Sequence, residues 1–231
     1  MNVLERTYLG KKIPKQRFYE NIGLSSTLQK KFVDYIDSVV LLNKFSKDTL
    51  HIPSNKAVEE VFIFEVKLKS NDFIGKIDDL LEIIDRSIQY HILFKINTGK
   101  KIVCKIAYKN RSQSDSSKYV VDRYFMREFK SEEEFSKVLL PVFNALNMKV
   151  LYENILSLFL DFKEDKIEES VQKHKDYLTL QNEVIELEIC MNKEKQADRQ
   201  YGLHKELKTK KKELAKYLKE MKNDNNNEGI K

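Results

Sequence analysis

Tryptophan is absent from this chain of 231 residues, which has only three prolines, six glycines and two cysteines. Each shortage excludes something. Without Trp, aromatic packing falls to 13 Phe and 11 Tyr. So little Pro and Gly leaves no low-complexity or collagen-like class open. Cys104 and Cys190 are too few for a disulfide framework and read as free, reduced thiols. The four histidines, at 51, 91, 174 and 204, are far apart in sequence. Zinc needs clustered ligands, so no metal site is expected. No run of ~18 apolar residues occurs, and no membrane span is expected. Met1-Asn2-Val3-Leu4-Glu5-Arg6 lacks the charged-then-apolar order of a signal peptide. A cytoplasmic location is the expectation. No G-x-G-x-x-G, Walker loop or G-x-S-x-G is present.

What is present is charge. Charged residues make up 34% and apolar residues 41%, against roughly 25% charge in ordinary globular domains. The excess points to long solvated helices. The net charge of +6 is uneven: residues 192–222 hold 11 Lys/Arg against 5 Asp/Glu, while residues 1–191 hold 30 against 29. The basic character lies near the C-terminus, and an acidic partner is to be sought there first.

The strongest strand signal runs over 58–69. Strand side chains alternate, so Phe62, Phe64, Val66 and Leu68 share a wholly apolar face. Val61, Ile63, Glu65 and Lys67 share the other, which ends charged. Before it, residues 1–13 read as an extended arm. Pro14 and Gly23 bound a short helix. Ser25 or Ser26 caps a second, with Leu28, Phe32, Tyr35 and Ile36 on its buried face. Residues 37–45 favour a strand. Ile77, Leu80, Leu81, Ile84 and Ile88 form a helical stripe over about 75–88. Residues 90–96 are a strand, and strand–helix–strand order implies parallel pairing. Asn97-Thr98-Gly99-Lys100 is a turn before a strand at 101–109. A polar loop at 110–118 and a strand at 119–129 follow. Ser131 opens a helix with a capping box, which Pro141 kinks or divides. Residues 151–162 are apolar enough to pack on the sheet.

From about 165 the pattern changes. Tyr177, Leu180, Val184, Leu187 and Met191 repeat at coiled-coil spacing, as do Leu203, Leu207, Leu214, Tyr217 and Met221. The two series are out of phase, with Gly202 between them. The tail is either two antiparallel helices or one interrupted helix. The expected fold is therefore α+β: a mixed sheet of four or five strands with flanking helices (1–162), a helical, coiled-coil-like tail (163–222) and a disordered end (223–231).

Three groups of residues invite a chemical reading. Glu65-Val66-Lys67 is a Glu-x-Lys on a strand, the form in which restriction-endonuclease-like enzymes hold Mg²⁺ and activate water. Asp48 or Asp37 would supply the upstream carboxylate, and magnesium is the one cofactor this reading calls for. Against it, three-residue charged patterns are common in so charged a chain, and an exposed strand end with a local ion pair is the plainer reading. Lys95, Lys101, Lys105 and Lys109 form the second group. Seven basic residues and no acid lie between Asp85 and Asp115. If pairing set these lysines on one sheet face, they would neutralise a phosphate backbone; the plainer reading is a solvated face that resists edge aggregation. Third, Lys208, Lys210, Lys211 and Lys212 flank the seam of Leu203, Leu207, Leu214 and Met221. That seam needs burial within a helical hairpin or against a protein partner. Asp85-Arg86 and His91 have no partner that spacing identifies.

Four stretches carry a resemblance: 12–15 with 18–21, 58–61 with 64–69, 83–88 with 90–94, and 193–196. Over about residues 8–220 the chain resembles a bacterial family, domain-of-unknown-function family 4391. The resemblance implies a cytosolic protein in the neighbourhood of DNA modification and phage defence. It carries no active-site residues over to this chain. The functional expectation is a non-enzymatic interaction module that docks a DNA-processing partner or nucleic acid, with the tail making a protein contact. A metal-dependent nuclease using Glu65 and Lys67 is the alternative.

Overall fold

The computed structural model describes residues 2–19, 23–111 and 119–228. It divides into two compact units, 1–159 and 160–231. In order, the first unit holds α1 (Val3–Arg6), β1 (Tyr8–Ile13), α2 (Gln16–Tyr19), α3 (Ser26–Tyr35), β2 (Ile36–Phe45), α4 (Lys47–Leu50), β3 (Val61–Leu68), α5 (Asp78–Ser87), β4 (His91–Asn97), β5 (Ile102–Arg111), β6 (Tyr119–Phe129), α6 (Glu132–Leu139) and α7 (Met148–Ser157). The second holds α8 (Ile167–Lys193) and α9 (Ala197–Glu228).

Among the described residues the sheet has six strands in the order β1-β2-β3-β4-β5-β6, where four or five were expected. The added strand is β1, whose residues are almost all exposed. Its pairing with β2 slips between Tyr8 and Lys11, at Gly10, which takes φ +60°. An exposed, bulged edge strand buries too little to leave an alternating hydrophobic pattern, so its sequence looks like an arm. β3 and β4 pair in parallel through α5, and every other neighbour is antiparallel.

The apolar face of β3 forms the main core. Phe62, Phe64 and Val66 join Ile92, Phe94 and Ile96 of β4 beneath Leu80, Leu81 and Ile84 of α5 and Phe32 of α3. Each such side chain contributes about 1.5–3 kcal/mol by leaving water. Local signals set the helix ends. The Ser25 hydroxyl caps α3 at the Leu28 N–H, and Ser131 caps α6 at the Glu134 N–H. Asn147 caps α7 through the Lys149 and Val150 N–H groups. α6 stops at Leu139 and Pro141 sits in a following 3₁₀ turn, so the proline divides the helix. The turn after β4 is tied by Asn97 Oδ1 accepting from the Gly99 N–H at 2.8 Å, with Gly99 at φ +78°. The opposite sheet face is covered by α6 and α7, with Phe129 meeting Phe135 edge-on and the Tyr152 hydroxyl donating to the Ala107 carbonyl at 2.6 Å.

In the second unit, α8 and α9 pack as an antiparallel hairpin. Ion pairs Lys173–Glu220 at 3.1 Å, Glu183–Lys210 at 2.9 Å and Glu188–Lys211 at 2.6 Å run in opposite sequence directions along it. The reversal occurs at 194–196. There Glu194 Oε1 accepts from the Lys195 and Gln196 N–H groups at 2.8 and 2.9 Å, tying the turn that leads into α9. Gly202, expected at the break, lies inside α9 with open space where a Cβ would stand. A carboxylate that satisfies the N–H groups of the turn residues makes this turn without any glycine. α9 runs on to Glu228, through most of the stretch expected to be disordered, and 229–231 lie outside the described residues. So do residues 112–118 of the expected polar loop.

Candidate functional site

The charged end of β3 opens on a cleft. Alternation that buries Val61 and Ile63 brings Glu65 to the same face, half-exposed, and Lys67 one step beyond it. Lys95 is the neighbour of Glu65 on β4. Only 8% of the Lys95 side chain is exposed, and its Nζ lies 2.5 Å from Glu132 Oε1 and 4.0 Å from Glu65 Oε1. The ammonium sits 5.3 Å from the Phe135 ring centre, so α6 supplies both a charge and an aromatic face. Glu5, Tyr8 and Asn43 complete the cleft, whose volume is about 610 Å³. Buried Asn43 holds the N-terminal segment by donating to the Leu4 carbonyl at 2.7 Å and to Thr7 Oγ1 at 3.0 Å. Sequence reasoning missed this grouping. Glu132 lies far from Glu65 and Lys95 in the chain, and no spacing rule joins them.

Of the two upstream carboxylates, Asp37 is the one at the Lys67 end of the ladder. Lys67 is 70% exposed and 4.0 Å from Asp37 Oδ2. Asp48 follows β2 at its other end, where Phe45 pairs with Val61. No group of three or more His, Cys, Asp or Glu among the described residues is arranged to hold a metal.

The lysines 95, 101, 105 and 109 do not share one face. Lys105 and Lys109 lie on the α5 side, and Lys95 lies on the α6 side. Lys105 pairs with Asp78 on α5. Lys109 Nζ lies 2.6 Å from Asp85 Oδ1 and donates to the Tyr90 carbonyl at 2.7 Å. Lys101 stands at the turn, half-exposed, 2.5 Å from Glu128. Three of the four are thus buried cations tied to acids on covering helices. The acids that neutralise them come from α5 and α6, outside the acid-free stretch that drew attention to them.

Around Asp85 a buried polar cluster forms. The Tyr124 hydroxyl donates to Asp85 Oδ2 while Lys109 faces Oδ1. Burial raises the Asp85 carboxyl above its usual range, and the Lys109 ammonium opposes that shift. The His91 ring packs 4.2 Å from the Tyr152 ring. Burial, with the Lys109 charge adding to it, pushes His91 down to about 3, so it stays neutral near pH 7. Burial also raises the Cys104 thiol, which removes thiolate character. The cluster joins α5, β4, β5 and β6.

In the hairpin, Leu203, Leu207, Leu214 and Met221 lie on the α9 face turned to α8. Leu207 is fully buried and the others are half-buried. Tyr177 and Tyr217 meet Phe162 at 5.6 Å each, closing one end. The seam is therefore satisfied within the chain. What the hairpin leaves exposed is a second set: Ile185, Ile189, Tyr201 and Leu218.

No helix among the described residues is long and apolar enough to cross a membrane. No curated protein and no solved structure matches the chain. The model of the domain of unknown function family DUF4391 matches residues 1–214, and the chain belongs to that family.

Proposed function

We propose that this chain is a non-enzymatic interaction module, accessory to DNA modification or phage defence, whose protein contact is made by the α8–α9 hairpin. One observation carries the reading. The hairpin closes its own apolar seam and still exposes Ile185, Ile189, Tyr201 and Leu218, each at least 41% accessible. Large apolar side chains that a monomer leaves in water cost solubility and mark a contact surface when they cluster. In the sheet unit, by contrast, each buried charged residue is engaged by a residue of opposite charge. The genomic side of the proposal rests on the family resemblance alone. Affinity capture from native cells tests it. Wild-type chain should retain a DNA-processing protein that an Ile185→Asp/Ile189→Asp variant loses. Equal recovery with both would refute the hairpin contact.

A second reading has its own observation. Asp37, Lys67 and Glu65 stand at one end of the β2–β3 ladder, with Lys67 open to solvent. Apart from the one-turn α4 and a 3₁₀ segment before α5, the order α3-β2-β3-α5-β4 follows the helix, strand, strand, helix, strand succession that the Glu-x-Lys motif calls for. Magnesium would be held by Glu65 and Asp37, with Lys67 beside the attacking water. Magnesium-dependent DNA cleavage by purified protein, abolished by Glu65→Ala and by Lys67→Ala, is the expected result under this alternative. Cleavage that survives both changes removes it.

A further inference from the structure

We propose that one face of α9 binds duplex DNA through a row of four lysines, Lys205, Lys208, Lys212 and Lys219, independently of the contact made by Ile185 and Ile189. Successive helical residues are about 100° apart. Measured from Leu207, which is buried in the seam, this step puts Lys208, Lys219, Lys212 and Lys205 at about 100°, 120°, 140° and 160°, inside one arc of about 60°. The acids of the same stretch, Glu206, Glu213 and Glu220, fall at about −100° to −140°, on the other side of the helix. All four lysines are exposed. At about 1.5 Å per residue the row is about 21 Å long.

The charge of this row is not spent inside the chain. Lys210 is held by Glu183 and Lys211 by Glu188. Among the described residues, none of the four lysines of the row forms an ion pair. Lys205 Nζ stands 4.6 Å from the Tyr201 ring centre, a contact that leaves its charge in place. Lys208 and Lys212 line an open groove with Leu207 and Ala215. Lys95, Lys105 and Lys109 differ in that each meets an acid on a covering helix. Like charges three and four residues apart destabilise a helix, and a polyanion laid along them removes that cost. The side-chain type selects the polyanion. Lysine is depleted in protein–protein interfaces and has no fork with which to grip a carboxylate at two points. The row holds no Arg to read a guanine edge, and no aromatic ring lies in its arc between Lys205 and Lys219 for an unpaired base to stack on. Contact with a phosphate backbone is what remains. A duplex offers one charge per about 1.7 Å of axis, about 12 phosphates over the length of the row. The B-form major groove, about 12 Å wide, admits a helix, whereas the A-form groove of duplex RNA is too narrow. The ligand is therefore duplex DNA, bound without regard to sequence.

Fluorescence anisotropy of the full chain with a labelled duplex of mixed sequence tests this. Affinity should fall about 100-fold between about 50 and 200 mM KCl, the dependence expected for four neutralised phosphates. Lys208→Gln/Lys212→Gln should lower the slope of log affinity against log salt by about two, roughly one per lysine, and Lys205→Gln/Lys219→Gln should do the same. Lys208→Arg/Lys212→Arg keeps the charge and should bind as wild type does. Lys11→Gln/Lys12→Gln removes the same charge from the exposed strand β1 and should leave the slope unchanged. Ile185→Asp/Ile189→Asp should also bind DNA as wild type does, so the loss of either contact is read separately from the other. No binding at about 50 mM KCl overturns the proposal, as does a slope indifferent to the row or equally sensitive to Lys11 and Lys12. Tighter binding of single-stranded DNA or duplex RNA overturns it in favour of that nucleic acid. An acidic protein captured through the row, with no DNA bound, overturns it in favour of a protein surface.

Discussion

Asp85 and Lys109 show how little a charged residue's sequence neighbourhood says about its role. Lys109 lies in an acid-free stretch, and its side chain is 2% exposed against an Asp85 that is fully buried. Removing one member of a buried pair strands the other charge, at about 3–5 kcal/mol. Lys109→Met should therefore lower unfolding free energy by that amount in urea titrations. Asp85→Leu/Lys109→Met should recover most of it; if the double variant is as unstable as the single, the pair is not what holds this corner. His91 gives a pH signature. Its folded value is about 3 against an ordinary 6.5. The unfolded chain thus takes up a proton below about pH 6.5 that the native chain refuses until about pH 3, and stability falls as pH falls through that window. From about pH 7 to pH 5 the loss should reach ~2 kcal/mol. Asp85, raised when folded, acts in the opposite sense. Comparison with His91→Phe isolates the histidine: the variant should lose this part of the slope, and an unchanged slope would show that His91 is protonated in the native state.

At the scale of elements, the strength of the hydrophobic pattern decided what could be read from sequence. β3 was legible because Phe62, Phe64 and Val66 must all leave water on one side. Phe64→Ala should cost about 3–5 kcal/mol, read from the shift of the urea midpoint at constant slope. β1 was not legible because an exposed edge strand imposes no alternation. The hairpin's seam was legible from its 3-4 spacing, but the position of its turn was not. Glycine at 202 looked like the break, while the backbone turned at Glu194-Lys195-Gln196, where the Glu194 carboxylate accepts from the N–H groups of the turn itself. Gly202→Ala should accordingly stabilise the chain by about 0.5–1 kcal/mol, since Ala adds helix propensity and meets nothing. A loss of stability would return the hinge to Gly202. Of the candidate site, Glu65 and Lys67 were visible as a motif. Lys95, the partner of Glu65 on the next strand, and Glu132 of α6, which meets Lys95 in turn, come together only through sheet order and helix docking.

At the scale of the whole molecule, the two units divide the work. The sheet unit buries its unusual charge in pairs that tie α5 and α6 to the strands, and its cleft at Glu65, Lys95 and Glu132 is narrow in chemistry. The helical unit carries the basic surplus and the exposed apolar side chains. The account rests on the contact being made by the hairpin's exposed Ile185, Ile189, Tyr201 and Leu218. Hydroxyl-radical footprinting of the full chain, alone and in the complex captured from native cells, tests this most directly because it reads side chains one at a time. Ile185, Ile189, Tyr201 and Leu218 should lose reactivity in the complex, while Tyr8 beside the cleft keeps its own. Protection of the cleft and the β3 end, with the hairpin isoleucines as reactive as in the free chain, would contradict the account.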